Sequence, residues 1–138
     1  MSIDLPLKIL IIDDMSSIRD ALTACLSTIG FEMIYEAVDG DDATNIAKEH
    51  AESELETPFD VIFCDINMPN CNGIEFLQRA REMQAYSAIP ILMVTTENEA
   101  ATVLEAIENG ADEYIIKPFD TEIVEKKLKS ILEKKNML

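Results

Sequence analysis

Short apolar segments rich in β-branched residues alternate along this chain with longer segments that have helical periodicity. The apolar segments cover residues 7–12, 33–38, 59–64, 89–95 and 113–116. In the longer segments apolar residues recur every three or four positions, which is the spacing of one helix face. Five strands alternating with five helices predict a doubly wound α/β domain with a parallel sheet and right-handed crossovers.

The apolar character of the central segments indicates where these strands lie in the sheet. Ile9–Ile12 and Val61–Cys64 are apolar throughout, as expected for strands covered by helices on both faces. Residues 49–58 interrupt the pattern with a long acidic stretch, which we interpret as the end of the second helix followed by a surface loop. His50, the single histidine, lies in this stretch and is predicted to be a surface residue without ligand partners.

Charge and cysteine content narrow the possible partners and the compartment. The chain has 138 residues, with 11 Lys and Arg against 27 Asp and Glu and a net charge of −16. Such a charge repels phosphate backbones and anionic lipids, so we expect neither nucleic-acid binding nor membrane insertion. Three cysteines without a CxxC motif favour a reducing compartment and a cytoplasmic location. Cys64 is interpreted as core, and Cys71, in a polar loop, as a candidate reactive thiol.

Polar residues that could carry chemistry follow the predicted strands. In a doubly wound sheet, ligands bind beyond the carboxyl ends of the strands. The residues at these ends are Asp13-Asp14 after the first strand, Asp65 after the third, Thr95-Thr96 after the fourth and Lys117-Pro118 after the fifth.

Together, these side chains have the chemistry of a phosphoryl site. Three neighbouring carboxylates repel one another, and Mg²⁺, which prefers oxygen ligands, relieves that repulsion. A lysine supplies a positive point charge and a threonine a hydroxyl donor, and a phosphoryl group needs both beside the metal. On this reasoning, one carboxylate is either a nucleophile or only a ligand. Taken alone, Asp13-Asp14 could cap the first helix, and Thr95 and Tyr114 could be ordinary strand residues.

The sequence resembles a known family at several of these positions. The matching residues are Asp13-Asp14, Cys-Asp-Ile-Asn-Met-Pro at 64–69, Gly73, Thr95, Tyr114 and Lys117-Pro118-Phe119. They resemble the receiver domain of bacterial two-component response regulators, of the stand-alone chemotaxis CheY type, over about residues 7–132. The resemblance implies that residues 1–138 are a single receiver domain with a flavodoxin-like sheet in the order 2-1-3-4-5.

The resemblance also implies roles for the residues at the strand ends. Asp65 would be the phosphoacceptor, which takes a phosphoryl group from a phosphohistidine of a kinase. Asp14, Asp65 and the backbone carbonyl of Asn67 would bind Mg²⁺ directly, whereas Asp13 would hold a metal-bound water. Lys117 would pair with a phosphoryl oxygen.

A switch and a set of neighbouring positions are implied in the same way. Thr95 would swing its hydroxyl to the phosphoryl group, and Tyr114 would move into the vacated space. The Lys117-Pro118 bond would be cis. The positions that flank the phosphoryl group and influence how fast water attacks it would be Asn67, Thr96 and Glu97.

The predicted function is a response regulator that signals by phosphorylation-dependent binding of a partner, in chemotaxis. It would be no enzyme beyond self-phosphorylation from a phosphodonor and autodephosphorylation. Its partners would be a histidine kinase, an output target and, as a further candidate, a phosphatase. The target would bind the face formed by the fourth helix, fifth strand and fifth helix. On this face, the acidic side chains within residues 97–113 would lie beside Lys126 and Lys127.

Four alternatives remain at this point. A haloacid-dehalogenase-like aspartyl phosphatase also uses Asp, Mg²⁺ and Lys, but it needs a second acid where Asn67 stands and a nucleophile on the first strand. A flavodoxin-like flavin carrier needs a Ser/Thr/Gly-rich phosphate loop, whereas residues 13–17 read Asp-Asp-Met-Ser-Ser. A constitutive adaptor needs no phosphorylation site, and a relay receiver outside chemotaxis fits the same residues.

Overall fold

Strands and helices alternate along the chain as predicted. The structure is a computed structural model that describes residue 3, residues 5–96 and residues 100–138. Its elements are β1 (Lys8–Ile12), α1 (Ser16–Ile29), β2 (Met33–Ala37), α2 (Gly40–Glu52), β3 (Val61–Asp65), α3 (Gly73–Glu82), β4 (Ile91–Thr95), α4 (Ala100–Glu108), β5 (Glu113–Ile116) and α5 (Thr121–Lys134). A 3₁₀ turn at Gln84–Tyr86, which the sequence pattern does not predict, precedes β4.

The five strands form one parallel sheet in the order β2-β1-β3-β4-β5, which confirms the predicted architecture. The register aligns the carboxyl ends of the central strands, because Ile12 pairs with Cys64 and Thr95 pairs with Ile116. Asp13 and Asp65 therefore directly follow paired residues on neighbouring strands. This alignment brings the polar strand ends to one edge of the sheet.

Both faces of the central strands are buried beneath helices. Ile9 and Ile11 point into a core that includes residues of α1 and α5, whereas Leu10 and Ile12 point into a core that includes residues of α2, α3 and α4. β1, β3 and β4 are buried along their whole length. Only the edge strand β2 is largely exposed. The apolar runs thus mark the covered strands, as predicted.

His50 corrects the prediction of a surface residue without partners. Its side chain is only 13% exposed and lies 4.7 Å, between ring centroids, from Phe59. The Nζ atom of buried Lys8 lies 2.7 Å from His50 Nδ1 and donates to Glu56 Oε2 (3.0 Å) and to the Thr57 carbonyl oxygen (2.6 Å). The acidic loop after α2 folds back over a buried cation, and this contact encloses the histidine.

Cys71 corrects a second prediction. Its side chain is buried rather than exposed in a polar loop, and burial raises the pKa of its thiol. Cys64 lies in the core, as predicted, and burial raises the pKa of its thiol well above the usual value. Because the thiolate is the reactive form of cysteine, both residues are poor nucleophiles.

Candidate functional site

Three carboxylates converge at the carboxyl ends of β1 and β3. Asp13 follows β1 and is 2% exposed, and Asp65 ends β3 and is 6% exposed. Asp14 lies on the exposed side of the group. One carboxylate oxygen from each residue lies within 4.8 Å of the others. The positions of the strand ends in the sequence predict this meeting of carboxylates.

Lys117 reaches the two buried carboxylates from the end of β5. Its Nζ atom donates to Asp13 Oδ2 at 3.1 Å and to Asp65 Oδ1 at 3.2 Å. Its backbone N–H donates to the Thr95 carbonyl oxygen at 2.6 Å, which joins the end of β5 to the end of β4. The Lys117–Pro118 peptide bond is cis. The two side-chain hydrogen bonds place the ammonium group between carboxylates from different strands.

The electrostatic balance of this site leaves excess negative charge. Burial and repulsion from Asp13 raise the pKa of Asp65 to about 6, although Lys117 acts in the opposite direction. Burial alone would lower the pKa of Lys117, but attraction from Asp65 and Asp13 outweighs it and the net shift is upward. Lys117 thus remains charged, and its single positive charge does not fully compensate the carboxylates.

The donor set fits a small divalent cation. Mg²⁺ binds oxygen atoms at about 2.1 Å, so ligands on opposite sides of the ion lie about 4 Å apart. The three carboxylates have oxygens within 4.8 Å of one another, and one of them faces solvent, from which water could complete the coordination. A cation here would also relieve the repulsion that raises the pKa of Asp65. The cluster could therefore hold Mg²⁺.

Thr95 and Tyr114 line one groove at the edge of the sheet that carries the carboxylates. Thr95 is 1% exposed at the end of β4, and Tyr114 is half-buried in β5. The groove has a volume of about 310 Å³ and lies between α4 and β5. Its lining residues are Thr95, Thr96, Ala100, Val103, Leu104, Ile107, Tyr114 and Ile116. The side chain of Tyr114 thus borders open space next to Thr95.

The three predicted neighbours of the phosphoryl group differ in how far the structure describes them. Asn67 is exposed in the loop between β3 and α3, two residues after Asp65. Thr96 is exposed directly after β4. Glu97 lies outside the described residues, so its predicted position next to the site remains a prediction.

Arg19, which the sequence did not single out, supports the site from α1. Its Nη1 donates to the backbone carbonyl oxygen of Asp13 at 2.8 Å, and its Nε lies 3.2 Å from Glu36 Oε1. Arg19 therefore links the loop after β1 to the edge strand β2. It is the single basic residue of α1, which is a signal that could have identified it.

Acidic and basic side chains meet around Tyr114 on the outer face of β5. Lys127 Nζ lies 3.3 Å from Glu113 Oε1 and 4.8 Å from the centre of the Tyr114 ring. The predicted acidic and basic regions are therefore partly paired with each other. Lys127 also places a positive charge directly on the tyrosine at the edge of the groove.

Comparisons with known proteins agree with this geometry. A model of the response regulator receiver domain family matches residues 9–129. Chemotaxis protein CheY1 of Helicobacter pylori is 33% identical over 126 residues, which cover 91% of this chain and 97% of that protein. The CheY homolog of Campylobacter jejuni is 32% identical over 126 residues, which cover 91% of this chain and 92% of that protein.

Solved structures show the same fold. Chemotaxis response regulator CheY4 of Vibrio cholerae superimposes with a TM-score of 0.76 at 34% identity, over 94% of this chain and 98% of that one. A receiver domain protein of Clostridium thermocellum has a TM-score of 0.80 at 24% identity, over 95% and 98% of the two chains, and supports the fold alone. Across the described part of this chain, no helix combines the length and apolar character needed to cross a bilayer.

Proposed function

This chain belongs to the response regulator receiver domain family, and on that premise we propose that it is switched by phosphorylation of Asp65. A receiver domain is a signalling module rather than a classical enzyme. The observation that carries the proposal is the placement of one buried carboxylate, Asp65, between the Lys117 ammonium and two further carboxylates. The position of Asp65 on β3 disfavours the aspartyl phosphatase alternative, which needs its nucleophile on the first strand.

Asp65 would act as the nucleophile toward a phosphohistidine of a kinase. One carboxylate oxygen forms a bond to phosphorus while the phosphorus–nitrogen bond breaks, and the imidazole leaves and takes up a proton. Ile66 N–H and Lys117 Nζ both donate to Asp65 Oδ1, so we assign the attack to Oδ2. Lys117 would offset charge on the transferring oxygens, since it already lies 3.2 Å from this carboxylate.

The residues that would hold Mg²⁺ are Asp14, Asp65 and the backbone carbonyl of Asn67, with Asp13 acting through a water. The bound ion would neutralise charge on the phosphoryl oxygens and on the carboxylates themselves. Arg19 donates a hydrogen bond to the backbone carbonyl of Asp13 and would thereby hold the loop that carries Asp13 and Asp14 in place. Water would later attack the phosphoryl group, at a rate that Asn67, Thr96 and Glu97 influence.

The output would arise from the groove shared by Thr95 and Tyr114. If the Thr95 hydroxyl turns to the phosphoryl group, it leaves a void that close packing does not tolerate. Tyr114 borders this space and can fill it, which would change the surface formed by α4, β5 and α5. We assign the output target to that face, and the histidine kinase, with a phosphatase as a further partner, to the face that carries the carboxylates.

A role in chemotaxis is proposed from the relatives. The relatives from Helicobacter pylori and Campylobacter jejuni are both chemotaxis proteins, and this chain spans more than nine-tenths of each. In this role the protein would act in the cytoplasm by binding a partner protein. The pocket residues alone are equally compatible with a relay outside chemotaxis.

Incubation with acetyl phosphate tests the phosphorylation itself. In the presence of Mg²⁺ we expect the intact mass of the protein to increase by one phosphoryl group. Addition of EDTA before acetyl phosphate should prevent the increase, because the uncompensated carboxylates repel the incoming anion. An unchanged mass with Mg²⁺, or an equal increase with EDTA, would contradict the proposal.

Substituting Thr95 by valine is expected to uncouple the pocket from the output face. Valine keeps the volume of threonine but lacks the hydroxyl that would bind the phosphoryl group. With Mg²⁺ and beryllium fluoride, NMR resonances of α4 and β5 should shift in the wild type and remain largely unshifted in Thr95→Val. Thr28, an exposed threonine of α1, provides the control Thr28→Val, which should respond like the wild type. Equal shifts of Tyr114 in wild type and Thr95→Val would exclude this role of Thr95.

A further inference from the structure

The loop between β3 and α3, residues 66–72, rests on the N-terminus of α2. The backbone N–H of Gly40, the first residue of α2, donates to the Cys71 carbonyl oxygen at 3.0 Å. The side-chain amide of Asn70 donates from Nδ2 to Asp39 Oδ2 at 2.9 Å. Two contacts between residues distant in sequence therefore fix the outer part of this loop.

The two carboxylate oxygens of Asp39 accept hydrogen bonds from different segments, one from α2 and one from the loop. Oδ1 accepts from the Asp42 backbone N–H at 2.8 Å and caps α2, whereas Oδ2 accepts from Asn70. The hydrogen bond from Asp42 and then that from Asn70 lower the pKa of Asp39, so the carboxylate is ionised at neutral pH. A charged acceptor strengthens both bonds.

The loop approaches α2 closely at Gly40. A Cβ atom at Gly40 would overlap the carbonyl oxygen and Sγ of Cys71. Asn70 has a φ of 65°, in the left-handed region where asparagine and glycine are favoured. The residue that makes the contact with Asp39 is thus also the residue that sets the bend of the loop.

The same loop carries Asn67, whose backbone carbonyl is assigned above to the Mg²⁺ site. A backbone carbonyl has no rotamer of its own, so its position depends on the path of the loop. Mg²⁺ demands near-ideal octahedral geometry, so a small displacement of one ligand weakens binding. We propose that Asn70 is a positioning residue of the metal site, which holds the Asn67 carbonyl in place through its hydrogen bond to Asp39. This inference rests on the proposed function of the site.

Substituting Asn70 by glycine tests the inference directly. Glycine keeps the positive φ but loses the bond to Asp39, and we expect Mg²⁺ affinity to fall about tenfold. Affinity is measured by competition with a fluorescent Mg²⁺ indicator. Asn136, which has a φ of 58° beyond α5, provides the matched control Asn136→Gly, which should bind like the wild type.

Exchanging the charges of Asp39 and Asn70 distinguishes a positioning role of Asn70 from a general effect of charge on Mg²⁺ affinity. Asn70→Asp adds a negative charge near a cation site, which by attraction alone would strengthen Mg²⁺ binding. We expect weaker binding, because two carboxylates would then face each other and push the loop away from α2. The double variant Asp39→Asn/Asn70→Asp has the wild-type net charge, and the asparagine introduced at position 39 can both cap α2 and donate to the loop. It should recover most of the wild-type affinity.

The outcomes distinguish this inference from the proposed function. Three results would each overturn the positioning role: wild-type Mg²⁺ affinity in Asn70→Gly, tighter Mg²⁺ binding in Asn70→Asp, or no recovery of affinity in the double variant. If the wild type binds Mg²⁺, these results leave the proposed metal site intact. A wild type that binds no Mg²⁺ would overturn the proposed metal site and this inference together.

Discussion

Replacing Asp65 with asparagine is expected to abolish phosphoryl incorporation and, in the same protein, to stabilise the metal-free fold. Asparagine has the shape of aspartate, but its neutral amide is a poor nucleophile toward phosphorus. The mass of Asp65→Asn should therefore remain unchanged after treatment with acetyl phosphate and Mg²⁺. The substitution also removes a buried charge that the metal-free site compensates only in part, so function and stability should change in opposite directions.

The sign and size of the stability change follow from the pKa of Asp65. Burial and the Asp13 carboxylate raise this pKa from 3.8 to about 6. The folded state thus holds the proton more tightly than the unfolded state, and the free energy of unfolding decreases as pH rises through this interval. The difference corresponds to roughly 3 kcal/mol at neutral pH, or a melting temperature about 10 °C higher for the variant.

Thermal melts without Mg²⁺ measure this effect. The advantage of Asp65→Asn should be full near neutral pH and should vanish below about pH 4, where the wild-type carboxylate is protonated in both states. Asp20 is an exposed residue of α1, so Asp20→Asn removes the same charge without touching the site and should change stability little. A variant that melts at or below the wild-type temperature at neutral pH would show that the Asp65 carboxylate does not destabilise the fold.

The fold was predictable from local sequence because its signals repeat within each element. Ile9–Ile12 and Val61–Cys64 are apolar without interruption, which is typical of strands covered on both faces. The boundaries differ slightly from the prediction, because Asp65 ends β3 rather than following it. A carboxylate at a strand terminus pairs like any other residue, and its side chain gives no signal of that pairing.

The core of the site was predictable for a topological reason. In a parallel sheet the carboxyl ends of all strands lie at one edge, so acidic residues at the ends of β1 and β3 share that edge with a lysine that follows β5. Asp13 and Lys117 are 104 positions apart, yet their side chains are joined by a bond of 3.1 Å. The strand ends place both residues at this edge of the sheet, and the strand order implied by the family resemblance brings β5 close enough for the contact.

The contacts that escaped prediction depend on how surface segments pack. His50 becomes enclosed only because the loop after α2 brings Glu56 and Thr57 to the buried amine of Lys8. Cys71 becomes buried only because Gly40 allows α2 to approach its loop. Neither contact has a periodic pattern in the sequence, since each joins a loop to an element elsewhere in the chain. The sequence pattern therefore predicted His50 as a surface residue and Cys71 as a candidate reactive thiol in a polar loop.

Magnesium ions are expected to raise the melting temperature of the wild-type protein and to have little effect on Asp14→Ala. A ligand that binds only the folded state stabilises it by mass action, by about 2.7 kcal/mol at one hundred times its dissociation constant. The carboxylate oxygens of Asp13, Asp14 and Asp65 form the cluster that could hold the ion. Removing Asp14 leaves two carboxylates already bonded to Lys117, so affinity should fall at least tenfold.

Without the metal, Asp14→Ala should melt above the wild type. Asp14 adds a third negative charge to a group that a single lysine compensates, and its removal relieves that repulsion. The exposed Asp20 again provides a control, since Asp20→Ala removes an equal charge from α1. Potassium chloride at matched ionic strength accounts for general screening of a chain with a net charge of −16. If Mg²⁺ stabilises Asp14→Ala as much as the wild type, or if matched potassium chloride reproduces the effect, the stabilisation comes from screening and the carboxylates do not form a metal site.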